Sequence, residues 1–204
     1  MDRKSVIKNI ETIVVALLIA LFVRTFIIQA FDIPSGSMEP TLLPGDYILV
    51  NKFIYGLRLP YVKTPIVSYN QPKRGDVIVF LYPVDMSKDF IKRVIGMPGE
   101  TIQVIEGKIF VNGLPIKDPW GYFDKSEPPG FISKVENFGP VKIPNNCLFV
   151  MGDNRNDSVD SRFWGSLPLG NVVGKAFIIY FSWNGSAENL VDKVRWKRIG
   201  HVIN

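Results

Sequence analysis

Two serines, Ser35 and Ser37, stand in the stretch "DIPSGSMEPTLLPGD" (32–46), with Gly36 between them and prolines on either side. A serine hydroxyl is a weak nucleophile until a positioned base takes its proton. Candidates for that base are few. The sole histidine, His201, lies near the end of the sequence, so a Ser-His-Asp triad would have to rest on it. The sole cysteine, Cys147, is flanked by "IPNN" and "LFVMGD" and reads as a small apolar filler. Without a Cys/His cluster, a zinc site is not expected. Lysine, aspartate and glutamate remain. A lysine can serve only if it is neutral near pH 7, and burial among apolar groups achieves that by disfavouring the charged form.

"DFIKRVIG" (89–96) offers such a lysine. Alternate residues of a strand share a face, so Phe90, Lys92 and Val94 lie on one side and Ile91, Arg93 and Ile95 on the other. Lys92 then sits between apolar neighbours, and the charge of Arg93 is expected to push its pKa down further. The bland alternative is a strand lysine that snorkels to water. A second polar concentration is "MGDNRNDSVDSRFWGSLP" (151–168), with three aspartates, two asparagines, two arginines and two serines between 152 and 162. Apolar segments frame it on both sides. Asp160 can pair with Arg162, and Ser158 can offer a hydroxyl to a lysine. The loop does not fit the calcium-loop spacing, so no metal is expected there.

These residues need a scaffold. Residues 10–31, "IETIVVALLIALFVRTFIIQAF", would span roughly 33 Å as a helix, enough to cross the hydrocarbon of a bilayer. A cleaved signal peptide is the competing reading, but no small-x-small site follows, and "RTFIIQAFD" continues apolar. Arg3, Lys4 and Lys8 precede the run, so the positive-inside rule leaves the N-terminus cytoplasmic and 32–204 on the outer face. Beyond residue 31 the pattern is short β-rich runs: 46–53, 76–82, 89–95, 101–105, 108–116, 147–152 and 175–183. "EGK" (106–108) and Asn112-Gly113 read as hairpin turns. The stretch 57–75 is a long connection, and 117–146, with five prolines, is a loop-rich insertion.

The formal net charge is +5, without a basic stripe beyond "KVRWKRIGH" (193–201), which reads as an exposed terminal segment. A nucleic-acid partner is therefore not expected. Two readings of different kinds compete with a membrane-anchored protease. One is a self-cleaving repressor-type serine–lysine protease, which would carry a DNA-binding domain in place of the apolar run. The other is an anchored β-rich binding module that engages a partner or lipid through the Trp183/Trp196 region.

Four stretches, in order behind an N-terminal anchor, resemble the type I signal peptidases: "PSGSMEPTLLPGD", "RGDVIVF" (74–80), "FIKRVIGMPGE" (90–100) and "GDNRNDSVDSRFWG" (152–165). The resemblance covers the core; 101–147 and the C-terminal tail match only in general character. It implies a mainly β fold, an antiparallel β-sheet catalytic core with an inserted β/loop lobe behind one transmembrane helix. The expected division is 1–31 for the cytoplasmic N-terminus and anchor, 32–100 for the first part of the core, 101–147 for the lobe, and 148–204 for the rest.

By the same resemblance Ser37 is the nucleophile, Lys92 the general base and Ser35 a hydroxyl of the oxyanion hole. Ser158 orients the lysine, and Asp153, Asp160, Arg162 and Arg93 support the site. Ile33, Met38, Leu42, Phe90 and Ile91 would line the pocket before the cleaved bond, and Phe31, Ile33, Ile48 and Val79 the pocket two residues upstream. The Phe90 position often carries tyrosine in the family. A lysine in place of histidine points to the bacterial or organellar branch. The implied substrates are signal peptides of exported preproteins, cut after small residues at the membrane, with no metal or organic cofactor. Phe163, Trp164 and Trp183 are candidate bilayer contacts.

Overall fold

The computed structural model describes residues 3–57, 67–68, 70–123, 136–189 and 191–204. Helix α1 (Arg3–Phe26) takes most of the N-terminal apolar run. Its Lys8–Phe26 stretch is long and apolar enough to cross a membrane, and none of it is buried against the rest of the chain. Ile13, Leu17, Leu18 and Phe22 are all exposed. A helix apolar on every side and uncovered by protein suits hydrocarbon better than a core.

The run does not end with the helix. Ile28–Asp32 forms strand β1, paired antiparallel with β2 (Asp46–Asn51). "IQAF" is equally at home in a lipid-facing helix or a half-buried strand, so hydropathy marks no boundary there; the ladder with β2 does.

The remaining strands are β3 (Gly56–Leu57), β4 (Val67–Ser68), β5 (Val77–Leu81), β6 (Asp89–Gly96), β7 (Thr101–Ile105), β8 (Lys108–Val111), β9 (Leu114–Pro115), β10 (Phe138–Lys142), β11 (Cys147–Met151), β12 (Leu167–Pro168) and β13 (Val172–Ser182); a single turn, α2 (Ser161–Trp164), precedes β12. The fold is mainly β. Seven strands make the principal sheet, in the order β1-β2-β13-β5-β6-β11-β12, and β10-β7-β8-β9 make a second. Strands β1 and β6 are not neighbours in that order, yet both line one cleft, so the principal sheet curls.

Both hairpin turns of the second sheet hold two successive residues at positive φ: Glu106 (48°) with Gly107 (75°), and Asn112 (52°) with Gly113 (79°). That is the two-residue turn whose twist matches its strands. Within the proline-rich insertion, residues 124–135 lie outside the described set, but its end is a strand, β10, that the composition hides. Its register on β7 shifts between Phe138 and Val141, around Gly139-Pro140. An edge strand tolerates that bulge where a central one would not. The long connection at 57–75 contains the β3–β4 pair, with 58–66 and 69 outside the described residues.

Three apolar clusters hold the molecule together. One lies in the curl and includes Ile33, Met38, Leu42, Ile48, Val50, Val79 and Ile179. A second joins the second sheet to β11 through Ile95, Ile102, Ile109, Ile143 and Phe149. The third covers the other face of β5, β6 and β11 with Ile78, Phe80, Val94 and Val150. The alternation along β6 follows these clusters: Ile91 packs on the first, Ile95 belongs to the second, and Phe90 and Val94 go to the third.

Candidate active site

Ser37 sits in a single 3-10 turn, Gly36–Met38, that follows β1. Met38 and Leu42 anchor the turn by plunging into the core of the curl. Lys92 comes from the middle of β6, opposite Ile78 of β5. It is only 4% exposed, and its Nζ lies 2.7 Å from Ser37 Oγ and 2.9 Å from the Ile91 carbonyl. The Phe90 ring stands 5.7 Å from the same nitrogen.

Burial pushes the Lys92 pKa down to about 8; Asp160, Asp153 and Asp157 pull it back upward, and Arg162 adds to the lowering. The cation expected to depress it was Arg93. That expectation is corrected: Arg93 is neutralised by Asp153, which takes Nε and Nη2 at 2.8 Å each, with both side chains fully buried. The field of an ion pair falls off faster than that of a lone charge, so Arg93 has little left to exert on its neighbour.

Ser35 Oγ is 3.4 Å from Ser37 Oγ, longer than a good hydroxyl hydrogen bond. The two hydroxyls are therefore adjacent without being committed to each other. Gly36 needs no unusual backbone, and a methyl there would meet Glu39 Oε1 at 3.0 Å, the tip of a flexible side chain.

The polar loop leaves β11 directly after Met151, which pairs with Arg93. That register delivers Asp153 to Arg93. Thr41 Oγ1 donates to Asp153 at 2.6 Å, tying the segment after the serine turn to the same carboxylate. Arg93 Nη1 also donates to the carbonyls of Gly75 and Asn204, each at 2.7 Å. Asp160 caps α2, accepts from Arg162 Nε at 2.9 Å and Nη2 at 2.8 Å, and accepts from Ser158 Oγ at 2.7 Å. Ser158 Oγ in turn accepts from Gly152 N at 3.1 Å. The structure thus gives the Ser158 hydroxyl to Asp160 and places Ile91, with Ser37, at the lysine nitrogen.

Three features escaped the sequence reading. Asn154 holds the Ser37 turn: its N–H donates to the Ser37 carbonyl at 3.2 Å and its Nδ2 to the Gly36 carbonyl at 3.3 Å. Gly152 presses so closely on Ser37 O and Ser158 that a methyl group has no room. The insertion also braces the loop. Asp118 accepts two bonds of 2.8 Å from the buried Arg155 guanidinium, Tyr122 exchanges backbone bonds of 2.8 Å with Asp153 and Arg155, and the Trp120 ring covers Arg93 at 4.5 Å. Only the glycine next to "DN" carried any signal of this, as a position where backbone approaches closely.

A cleft of about 50 Å³ opens beside the pair, lined by Phe31, Asp32, Ile33, Pro34, Ile48, Val79, Asp89, Phe90 and Ile91. It gathers residues expected in both substrate pockets. Met38 and Leu42 lie beneath, fully buried, as floor and not as lining. Asp32 and Asp89 were not anticipated in it.

A serine hydroxyl at hydrogen-bond distance from a buried amine, on a curled antiparallel sheet, is an arrangement in which a base can take the hydroxyl's proton. The family model "Signal peptidase, peptidase S26" matches residues 6–183, and the chain belongs to that family. It is similar to a signal peptidase I of Pseudomonas aeruginosa, 39% identical, covering 82% of this chain and 69% of that one. A signal peptidase I of Leptolyngbya laminosa is 38% identical over 89% of this chain and 82% of its own. A crystal structure of a signal peptidase I from Enterococcus faecalis aligns at 28% identity and a TM-score of 0.44, over 53% of this chain and 98% of that one. The protein is a serine endopeptidase with signal peptidase I function.

Proposed function

We propose that this protein is a membrane-bound endopeptidase that removes N-terminal signal peptides from exported preproteins, with Ser37 as nucleophile and Lys92 as general base. The observation that carries the reading is the 2.7 Å approach of Lys92 Nζ to Ser37 Oγ, with the lysine buried. Neutral Lys92 accepts the Ser37 proton as Oγ attacks the scissile carbonyl. The developing oxyanion is held by the Ser37 N–H and the Ser35 hydroxyl, donors of a kind worth roughly 2–4 kcal/mol each in a preorganised site. The protonated Lys92 then gives its proton to the leaving amine. Neutral again, it activates the water that splits the Ser37 ester.

Asp153 with Arg93, and Asp160 with Arg162 and Ser158, hold the lysine's surroundings in place. Phe31, Ile33, Ile48, Val79, Phe90 and Ile91 form the substrate cleft, over a floor of Met38 and Leu42. The cleft is small, about 50 Å³, and its lining is mostly apolar. That matches cleavage after small residues. Helix α1 anchors the chain with its N-terminus cytoplasmic and the rest on the outer face, where the exposed Phe163 and Trp183 are candidate bilayer contacts.

The test is cleavage of a preprotein by the purified full chain in detergent. Ser37→Ala and Lys92→Ala should each melt cooperatively and leave the preprotein intact. Near-normal cleavage by Lys92→Ala would refute the reading.

A further inference from the structure

The cleft changes character along its length. Near one end stands the Ser37–Lys92 pair; Asp89 lies three residues back along β6 from Lys92. At about 3.3 Å per residue the separation is roughly 10 Å. An extended substrate lying along β6 advances by the same rise, which brings its third or fourth residue from the reacting bond beside Asp89.

The direction is also set. Burial raises the Asp89 pKa and the charge of Lys52 lowers it in part; Lys52 Nζ donates to the Thr25 carbonyl at the foot of α1. The Asp89 end of the cleft therefore faces the side from which a membrane-embedded segment enters, upstream of the cleaved bond. Asp89 shares a strand face with Ile91, and Asp32 stands on the opposing strand β1. Among the described residues neither carboxylate accepts a hydrogen bond. Lys88, next to Asp89 in sequence, is engaged by Asp85 at 3.0 Å. Asp32 and Asp89 thus bring two carboxylates to this end of an otherwise apolar cleft.

We infer that Asp89, helped by Asp32, selects substrates by charge: a basic or neutral side chain four residues before the cleaved bond is accepted, and an acidic one is disfavoured. The inference rests on the assignment of Ser37 and the cleft given above. An acidic side chain there would be placed against like charge at the mouth of an apolar slot, where repulsion is only partly screened.

The test uses the full chain in non-ionic detergent at pH 8 and low salt. Three substrates differ only in carrying Lys, Gln or Glu four residues before the cleaved bond. The expected order of kcat/KM is Lys, Gln, Glu, with a Lys-to-Glu ratio of about three to ten, the scale of partly exposed charge pairs. Added salt should shrink the ratio. Asp89→Asn should bring it towards one and remove most of the salt dependence, with Asp32→Asn having a smaller effect. A wild-type ratio near one, or a ratio unmoved in the Asp32→Asn/Asp89→Asn double variant, would overturn the inference. Cleavage that survives Ser37→Ala would instead overturn the assignment of the nucleophile.

Discussion

Gly152→Ala tests how tightly the polar loop is fitted to the Ser37 turn, the proposed nucleophile's seat. A methyl group at 152 would lie 2.6 Å from Ser158 Cβ and closer still to Ser158 Oγ and the Ser37 carbonyl oxygen. Carbon atoms rest comfortably at about 3.5 Å, so something must retreat by about 1 Å. The Ser158 side is held by its bond to Asp160, and the Ser37 carbonyl is held by Asn154. The displacement falls on one or both sides of the proposed Ser37–Lys92 pair. A misplacement of about 1 Å can lower a rate about a hundredfold. Overpacking by one methyl destabilises by about 1–3 kcal/mol, a fall in Tm of roughly 2–10 °C for a chain of this size. The variant should therefore remain folded while kcat/KM for a preprotein drops about a hundredfold, most of it in kcat. Parallel cleavage kinetics and thermal melts in detergent decide the matter. Activity within threefold of wild type would refute the packing argument.

Asp118→Ala should leave the Arg155 guanidinium buried without its partner, at about 3–5 kcal/mol, and lower the melting temperature by roughly 5–15 °C. Asp118→Ala combined with Arg155→Met should recover most of that loss in the same melt, because no orphan charge remains. Lys92→Met should stabilise the inactive protein. The folded pKa of about 8 lies below the ordinary 10.5, so the wild type bears the full cost of a buried ammonium below pH 8, about 3 kcal/mol. The cost declines as pH rises from 8 to 10.5 and is absent above that. The lysine's lost hydrogen bonds offset part of the gain. The variant's advantage in denaturant unfolding should be largest at pH 7 and disappear above pH 10.5.

Much of the scaffold was legible because its signals are local. The period-2 pattern of "DFIKRVIG" gives the faces on which Lys92 and Arg93 lie, and Asn112-Gly113 marks its own turn. The end of α1 was not legible, since "IQAF" has the same hydropathy in a helix as in a strand. Strand β10 was hidden by Gly139-Pro140, which only a bulged edge accommodates. At the site, the aspartate-rich loop stood out by composition, but its partners did not. Asn154 meets Gly36 at a sequence separation of 118, and Arg155 meets Asp118 at 37. No local pattern encodes such pairings; they follow from the register of β11 on β6 and the placing of the insertion. The misjudged role of Arg93 has the same origin: its charge was visible, and the carboxylate that cancels it, 60 residues away, was not.

The central claim, that Ser37 is activated by an amine whose pKa is lowered towards neutrality, is tested most directly by the acid limb of kcat/KM against pH. With a pKa of about 8, roughly a tenth of Lys92 is neutral at pH 7, against about 0.03% for an ordinary lysine. The wild-type profile should rise with unit slope and level off with a midpoint of about 8, and Lys92→Ala should show no such activity at any pH. A profile flat from pH 6 to 10, or one that Lys92→Ala reproduces, would contradict the account.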